Sequence, residues 1–399
     1  MIYNCPNCMA ALIYNPQYGK LHCLSCNSTF ETNAFEEKEK NEETIANRET
    51  DELKKAGIID ELMECNIYTC TACNAELAVN GVETSTFCAY CGQPTIVFNR
   101  VSSTKKPKYI IPFSITKEQA VSSIRNHLSK GSFVPPEIQN FSVERVRGIY
   151  IPYWLYDIRY FDEQYLSGEV KSGKSTITKY YYRSATTTFY DVTMDASKQL
   201  NDESSQRLEP FDTVAVQDFE PSYLTGFYAD CFDMSETEME SYARARCMQM
   251  FNQQIEKSVH ASNIKLLKNA PKLEVLKTEY AMFPAWFLTF RYQDVPYTIL
   301  VNGQTGKVVG AVPFTKAKVS MLFWAIGALA SMICTGLAFF FLQAGTEVDS
   351  DILEIVLYGI VGGFVMWGNG VNKLKKVKKS IELSKSTKMN SFVKDRQEG

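Results

Sequence analysis

The stretch Cys5-Pro6-Asn7-Cys8, followed after fourteen residues by Cys23-Leu24-Ser25-Cys26, decides the fold of the N-terminal region. A C-x2-C turn brings two thiolates to one metal ion, and two such turns joined by a short hairpin complete a tetrahedron of sulfurs. The stretch therefore predicts a small β zinc ribbon over residues 1–30. So small a unit has little core of its own, so metal binding would supply most of its folding free energy.

The same pattern occurs a second time in the chain. All four cysteines recur 65 positions later, which indicates a duplicated unit and predicts a second ribbon over residues 65–100. The cofactors predicted are two structural Zn²⁺ ions, and the alternatives are a rubredoxin-like iron site and disulfides. The predicted metal ligands are Cys5, Cys8, Cys23, Cys26, Cys70, Cys73, Cys88 and Cys91.

The number of cysteines indicates the redox compartment of the protein, and the charge of its N-terminal region indicates the class of its binding partners. Twelve cysteines stand against three histidines, and the N-terminus lacks the pattern of a secretory signal, which favours a reducing compartment and metal-bound thiolates. Residues 1–99 contain six Lys and Arg against fourteen Asp and Glu, and most of the acid lies in a linker over residues 31–64 that ends in a short predicted helix. Phosphate binding needs clustered basic residues, so protein partners are expected and nucleic acid is disfavoured.

Two apolar stretches near the C-terminus predict a transmembrane hairpin. Residues 319–342 carry no charge and are long enough to cross a bilayer as a helix. Residues 352–371 form the second candidate, with a re-entrant or peripheral helix as the alternative. Lysines flank the two predicted spans, and the charged residues in the loop between the spans are all Asp or Glu. The positive-inside rule then predicts a multi-pass protein of the cell membrane with both termini in the cytoplasm and a basic tail over residues 372–399.

The middle region, residues 107–315, is predicted to be a cytoplasmic α+β unit. Helices are expected over Lys117–Ser129 and from the capping box Ser235-x2-Glu238 to about Ser258, between strands rich in aromatic and β-branched residues. Pro152-x-Trp154 and Pro284-x-Trp286 stand 132 positions apart and suggest an internal duplication, with chance similarity of aromatic strands as the alternative. The whole chain is thus expected to be multidomain.

One motif in the middle region invites an enzymatic interpretation. Gly168-x4-Gly173-Lys174-Ser175 fits the P-loop pattern, but a P-loop opens a helix, whereas the residues that follow here are β-branched and aromatic and predict a strand. A hairpin turn is therefore expected. No catalytic or cofactor-binding constellation is recognisable, so the chain is predicted not to be an enzyme.

The order of the motifs resembles a known family. The doubled ribbon occurs together with Tyr150–Tyr156, Leu208–Asp212, Tyr223–Phe227 and Asn302–Lys307. In this order the chain is similar to the TFIIB-type zinc-ribbon membrane proteins of Gram-positive bacteria. Some of these are encoded beside phage-shock and SPFH (flotillin-like) proteins and help to hold them at the membrane, so the resemblance implies an anchoring role in envelope stress.

Together these patterns predict a membrane-anchored scaffold or adaptor whose ribbons recruit cytosolic proteins. The alternative is a membrane-tethered regulator whose ribbons bind nucleic acid or RNA polymerase. The sequence does not identify the partner, the signal or the oligomeric state.

Overall fold

The computed structural model describes most of the chain up to residue 313. The described residues are 3–35, 62–71, 75–79, 88, 90, 96–129, 134–141, 145–173, 175–198, 200, 202–293, 295–310, 312–313 and 321.

Strands dominate the described residues. In chain order they are β1 Leu12–Asn15, β2 Lys20–Cys23, β3 Thr29–Phe30, β4 Leu62–Cys70, β5 Glu76–Val79, β6 Ile96–Lys105, β7 Tyr109–Ile110, β8 Val146–Ser172, β9 Ser175–Asp195, β10 Gln217–Asp218, β11 Tyr228–Asp230, β12 Ser262–Asn269, β13 Lys272–Tyr292, β14 Val295–Asn302 and β15 Val308–Val309. The α-helices are α1 Lys117–Ser129, α2 Pro136–Gln139, α3 Asp202–Leu208 and α4 Glu236–Ser258.

The strands form two sheets. The first ribbon is a three-stranded sheet in the order β1-β2-β3, whereas a twelve-stranded sheet contains every strand from β4 onwards. Its main path runs β10-β7-β13-β8-β11-β5-β4-β6, and β9, β12, β14 and β15 pair alongside that path. Strands β4, β5 and β6, which include part of the predicted second ribbon, therefore belong to the same sheet as the middle region.

The centre of the large sheet is the antiparallel pair β8 and β13. Their register runs from Phe161 opposite Lys272 to Val146 opposite Leu288. Every residue from Gly148 to Tyr156 is buried, because both faces of the sheet are covered there. Further along β8 burial alternates, since α4 covers only one face, where Phe251 packs on Tyr160 with ring centroids 4.5 Å apart. Aromatic and β-branched residues stabilise strands of this kind through cross-strand packing.

Two tryptophans on this central pair fix the two main helices. Trp154 on β8 donates from Nε1 to the Met234 carbonyl at 2.9 Å, just before the α4 N-cap. Trp286 on β13 donates to the Ile115 carbonyl at 2.9 Å, just before α1. The two Pro-x-Trp motifs thus have equivalent contacts on antiparallel neighbours, an arrangement that a duplication would produce, although the duplication itself stays a prediction.

Two of the motifs that carry the family resemblance bind each other. Asn302 is fully buried, and its Nδ2 donates to the Leu208 carbonyl at 2.9 Å and the Pro210 carbonyl at 3.3 Å. The Asp212 amide donates to Oε1 of Gln304 at 2.7 Å, and Nε2 of Gln304 returns a bond to the Asp212 carbonyl. The contacts seen at these two segments join the β14–β15 turn to the loop after α3.

Several local predictions are confirmed. Helix α1 has the predicted bounds, and α4 begins with the predicted capping box, because Ser235 accepts from the Glu238 amide and Glu238 accepts from the Ser235 amide. The P-loop pattern is a hairpin turn, since β8 ends at Ser172, β9 begins at Ser175 and these two residues pair.

The structure corrects the predicted fold class. The middle region is mostly β-sheet rather than α+β, because the aromatic and β-branched runs form strands of 27 and 21 residues. The prediction of a transmembrane hairpin and of a multi-pass membrane protein is not supported either. None of the helices that the structure describes is long and apolar enough to cross a membrane.

The physical reason lies in the composition of the helices that are described. The longest, α4, carries Glu and Arg side chains along its length, and bilayer crossing requires a nearly charge-free stretch. The predicted spans 319–342 and 352–371, and the tail 372–399, fall outside the described residues except for Met321. The localisation that was inferred from them therefore has no structural support.

A buried carboxyl group joins the second ribbon segment to the sheet. The hydroxyl of Tyr90, which lies between the predicted ligands Cys88 and Cys91, donates to Oδ2 of Asp230 on β11 at 2.6 Å. The Ser197 hydroxyl donates to the same oxygen at 2.5 Å. Burial raises the pKa of Asp230 from its ordinary value of 3.8 to about 7.

This raised pKa predicts a pH-dependent stability. Between pH 3.8 and about 7 Asp230 holds a proton in the folded chain that it has lost in the unfolded chain, so its contribution to the free energy of unfolding falls as the pH rises. Asp230→Asn keeps an acceptor oxygen and cannot ionise. Urea titrations should show that the variant loses less stability than the native chain between pH 5 and pH 8, by about 2 kcal/mol.

The matched control is Asp218→Asn, which makes the same substitution at an exposed aspartate on β10. Equal pH dependence in the native and Asp230→Asn chains would contradict the assignment.

Candidate metal centre

The first cysteine pair forms a turn closed by backbone hydrogen bonds. The Cys5 amide donates to the Ala10 carbonyl at 2.8 Å, and the Met9 amide donates to the Cys5 carbonyl at 2.8 Å. Met9 has a φ of 62°, so the chain reverses directly after Cys8. This turn leaves both cysteine side chains on one side of the backbone.

The second pair repeats the same turn. The Cys23 amide donates to the Ser28 carbonyl and the Asn27 amide donates to the Cys23 carbonyl, both at 2.9 Å. Asn27 also has a φ of 62°. The two turns face each other across the β1–β2 hairpin, in which Leu12 pairs with Cys23.

The four sulfurs meet at one point. All four Sγ atoms lie within 4.8 Å of one another. Cys5 and Cys26 are 3.5 Å apart, and Cys8 and Cys23 are 3.4 Å apart. Four thiolates placed tetrahedrally around Zn²⁺ at 2.3 Å would be about 3.8 Å from one another, so this cluster can hold a metal ion and is compatible with zinc. Iron prefers the same ligand set.

Neighbouring hydrogen bonds give the thiols of Cys26 and Cys8 different pKa values. Hydrogen bonds from the Ser28 hydroxyl and amide lower the pKa of Cys26 from 9.0 to about 6. The Ala10 backbone lowers the pKa of Cys8, but hydrogen bonds with the Cys23 and Cys26 thiols outweigh it and raise that pKa to about 11. Metal binding would release the remaining thiol protons, so the affinity should fall as the pH falls.

His22 lies beside the cluster and is not part of it. Its Nε2 is 2.8 Å from Oδ1 of Asn27, the residue whose positive φ shapes the second turn. His22 thus contacts the second turn, and the candidate ligands are the four cysteines.

The second ribbon is described only in part. The Cys70 amide donates to the Ala75 carbonyl at 2.9 Å, which matches the bond from Cys5 to Ala10 sixty-five positions earlier. Cys70 and Cys88 are buried, as are their counterparts Cys5 and Cys23. Cys73 and Cys91 lie outside the described residues, so the second site stays a prediction.

Sequence reasoning missed the residues that attach the first ribbon to the large sheet. The Tyr14 amide donates to the Thr225 carbonyl at 3.0 Å, and the Tyr14 and Tyr223 rings pack edge to face with centroids 5.2 Å apart. Gly226 has a φ of +86°, and a Cβ at this position would lie 3.2 Å from Cβ of Ile13. The Tyr223–Phe227 motif was visible in the sequence, but only the structure shows that the ribbon packs on it.

Comparisons with known proteins add one relative. The chain is 25% identical over 338 residues to the uncharacterized protein YdjG of Bacillus subtilis (strain 168), which covers 80% of this chain and 92% of that protein. No protein-family model matches the chain. No solved structure matches it either.

The cysteine cluster predicts the metal content of the chain. The first ribbon should bind one equivalent of metal, and Cys8→Ser with Cys26→Ser should remove that equivalent because two thiolates cannot replace four. Elemental analysis of the purified chain measures this directly. Cys247→Ala, which alters a buried cysteine on α4 away from the cluster, is the control and should leave the metal content unchanged.

Either of two results would contradict the zinc assignment. One is an unchanged metal content in the double variant. The other is iron in the native chain together with the visible absorption of an iron–thiolate site.

The attachment of the ribbon predicts the effect of a single methyl group. Gly226→Ala places a Cβ against Ile13 and should loosen the ribbon, which hydrogen exchange of the Tyr14 amide would report as at least tenfold faster exchange. Gly173→Ala is the matched control, because Gly173 also has a positive φ, of +60°, but its Cβ would meet nothing within 4 Å. Both variants carry backbone strain of about 1–2 kcal/mol, and only the first should affect Tyr14. Equal exchange in the two variants would refute this account.

Proposed function

We propose that this protein is an adaptor whose metal-folded ribbon presents a docking face to partner proteins. One observation carries the proposal: the metal end of the first ribbon exposes two large apolar side chains. Met9 is 71% exposed and Leu24 is 73% exposed, and they lie on the two turns that hold the cysteines. Exposed apolar side chains on a rigid turn suit recognition of a protein.

The charge of this ribbon supports a protein partner over nucleic acid. Residues 3–35 contain only two charged side chains, Lys20 and Glu31, and these form an ion pair at 2.5 Å. Binding to a phosphate backbone needs several clustered Lys or Arg residues. The first ribbon therefore has no basic cluster for phosphates, and the alternative of a nucleic-acid-binding ribbon receives less support.

The attachment of the ribbon suits presentation of such a face. Contacts from Tyr14 and Ile13 to the Tyr223–Phe227 loop hold the β1–β2 hairpin on the large sheet. Cys8 and Cys26 nevertheless remain exposed at the metal end. A rigid mount of this kind reduces the entropy lost when a partner binds.

The class of partner comes from the resemblance alone. It suggests SPFH or phage-shock type proteins and a role in envelope stress. An adaptor would bring such proteins together through the ribbons, with the large sheet as the platform.

Co-purification from cells tests the proposal. The tagged native chain is compared with Met9→Ser combined with Leu24→Ser, which alters the docking face and keeps every cysteine. A protein that binds the native chain should be lost from the double variant while the zinc content stays the same, and that protein, once purified, should bind the native chain at least tenfold more tightly.

The control is Tyr18→Ser, which removes an exposed aromatic side chain from the turn between β1 and β2, away from the cysteine turns. It should retain the partner. Recovery of nuclease-sensitive nucleic acid that depends on Met9 and Leu24 would overturn the adaptor proposal and favour a regulator whose ribbons bind nucleic acid.

A further inference from the structure

Strand β9 forms a long open edge of the large sheet. It pairs with β8 on one side, and no strand in the described part of the chain pairs with its other side. From Ser175 to Tyr190 every side chain is exposed or half-exposed. Sixteen residues of strand span about 50 Å, and an edge of this length is a template for another strand unless something covers it.

The direction of the free backbone groups follows from the hairpin turn. A two-residue turn closes on a hydrogen-bonded pair, here Ser172 and Ser175. Because the register continues without a shift to Phe189, odd-numbered residues of β9 bond to β8 and even-numbered residues direct their N–H and C=O groups outward. Tyr182 agrees with this assignment, since its carbonyl accepts a bond from the Arg183 guanidinium at 3.0 Å.

The side chains along the edge favour an interface. Tyr180 is 77% exposed, and Tyr182 packs beside Tyr165 of β8, with ring centroids 5.1 Å apart and both rings about half exposed. Ile177 and Tyr190 are exposed as well. Tyrosine is enriched in the cores of protein interfaces, and exposed apolar residues that form one continuous patch mark surfaces that bind other proteins.

The charge along the edge selects the partner. Ser175–Tyr190 contains Lys179 and Arg183 and no Asp or Glu. Arg183 donates to the Ser258 hydroxyl and carbonyl, so the charge that this edge offers to a partner is chiefly that of Lys179. The nearby carboxylates Glu163 and Glu169 belong to β8, one strand further from the edge, where they pair with Ser184 and Thr178. Opposite charges on neighbouring strands attract, and like charges repel. An incoming strand rich in Asp or Glu is therefore favoured over a basic one.

We propose that the outer edge of β9, from Ser175 to Tyr190, docks an acidic extended segment of a partner protein, which adds to the sheet as a further antiparallel or parallel strand. Main-chain bonds from the even-numbered residues supply affinity, except at the Tyr182 carbonyl, which already accepts from Arg183. Lys179 and the tyrosines supply the preference for the segment. This surface does not include the cysteine turns, so it is independent of the docking face at Met9 and Leu24.

The test uses the full chain and a fluorescein-labelled twelve-residue peptide in which Glu and Val alternate. Fluorescence anisotropy should show binding of this peptide, and a matched peptide with Lys in place of Glu should bind at least tenfold more weakly. Raising the salt concentration should weaken the binding of the acidic peptide, because surface charge pairs are screened.

Two pairs of variants locate the site. Ser184→Pro removes an outward N–H and should weaken binding at least tenfold, whereas Ser184→Ala keeps that N–H and should bind as the native chain does. Lys179→Glu should weaken binding at least fivefold. Lys265→Glu, on β12 at the far side of β8, should have little effect. If the Ser184→Pro variant fails to fold, the comparison of Lys179→Glu with Lys265→Glu still shows whether the peptide binds at β9.

The other occupants have distinct signatures that would each overturn the proposal. Preferential binding of a labelled twelve-residue oligothymidylate would identify a nucleic-acid surface. A dimer that is lost on Ser184→Pro would show that the edge pairs with a second copy. Equal binding of the acidic and basic peptides would show that the β9 edge does not select an acidic segment. The Met9→Ser and Leu24→Ser variant should bind the peptide normally, so failure here and failure of the adaptor proposal are distinguishable.

Discussion

The antiparallel pairing of β8 with β13 is the interaction on which the remaining structure depends. It places Trp154 and Trp286 on neighbouring strands, where each indole holds the start of a different helix. It also supplies the edges to which β7, β11 and β14 attach, and β11 in turn carries β5 of the second ribbon segment. A substitution that shifts this register by one residue would move buried aromatic side chains to the opposite face.

The motifs that suggested a family act as structural contacts in this chain. The Tyr150–Tyr156 segment forms the buried centre of β8, the Tyr223–Phe227 loop holds the first ribbon, and the Leu208–Asp212 and Asn302–Lys307 segments bind each other. Each contact fixes one part of the molecule against another. A rigid frame with exposed apolar side chains at the ribbon and along β9 supports the proposal that this protein brings others together.

The wrong predictions have a common physical origin. Helix and strand were inferred from local windows, and the length of a strand depends on partners that lie far away in the sequence. Strand β8 continues to Ser172 because β9 and β12 pair with its distal half, although the exposed residues there have little apolar pattern. The transmembrane prediction likewise rested on hydropathy alone, and the described helices give it no support.

The sequence by itself determined the first cysteine cluster, the capping box of α4 and the hairpin turn at Gly173, because each depends on residues close together in the chain. Fixed C-x2-C spacing brings thiolates together through local backbone geometry, whatever the remaining fold. Only the tertiary structure decided that the first ribbon packs on the Tyr223–Phe227 loop, that Tyr90 bonds to Asp230, and that none of the described strands pairs with the outer side of β9. These features join residues as many as 211 positions apart, from Tyr14 to Thr225. Their partners are selected by packing and burial across the whole sheet, which no local pattern records.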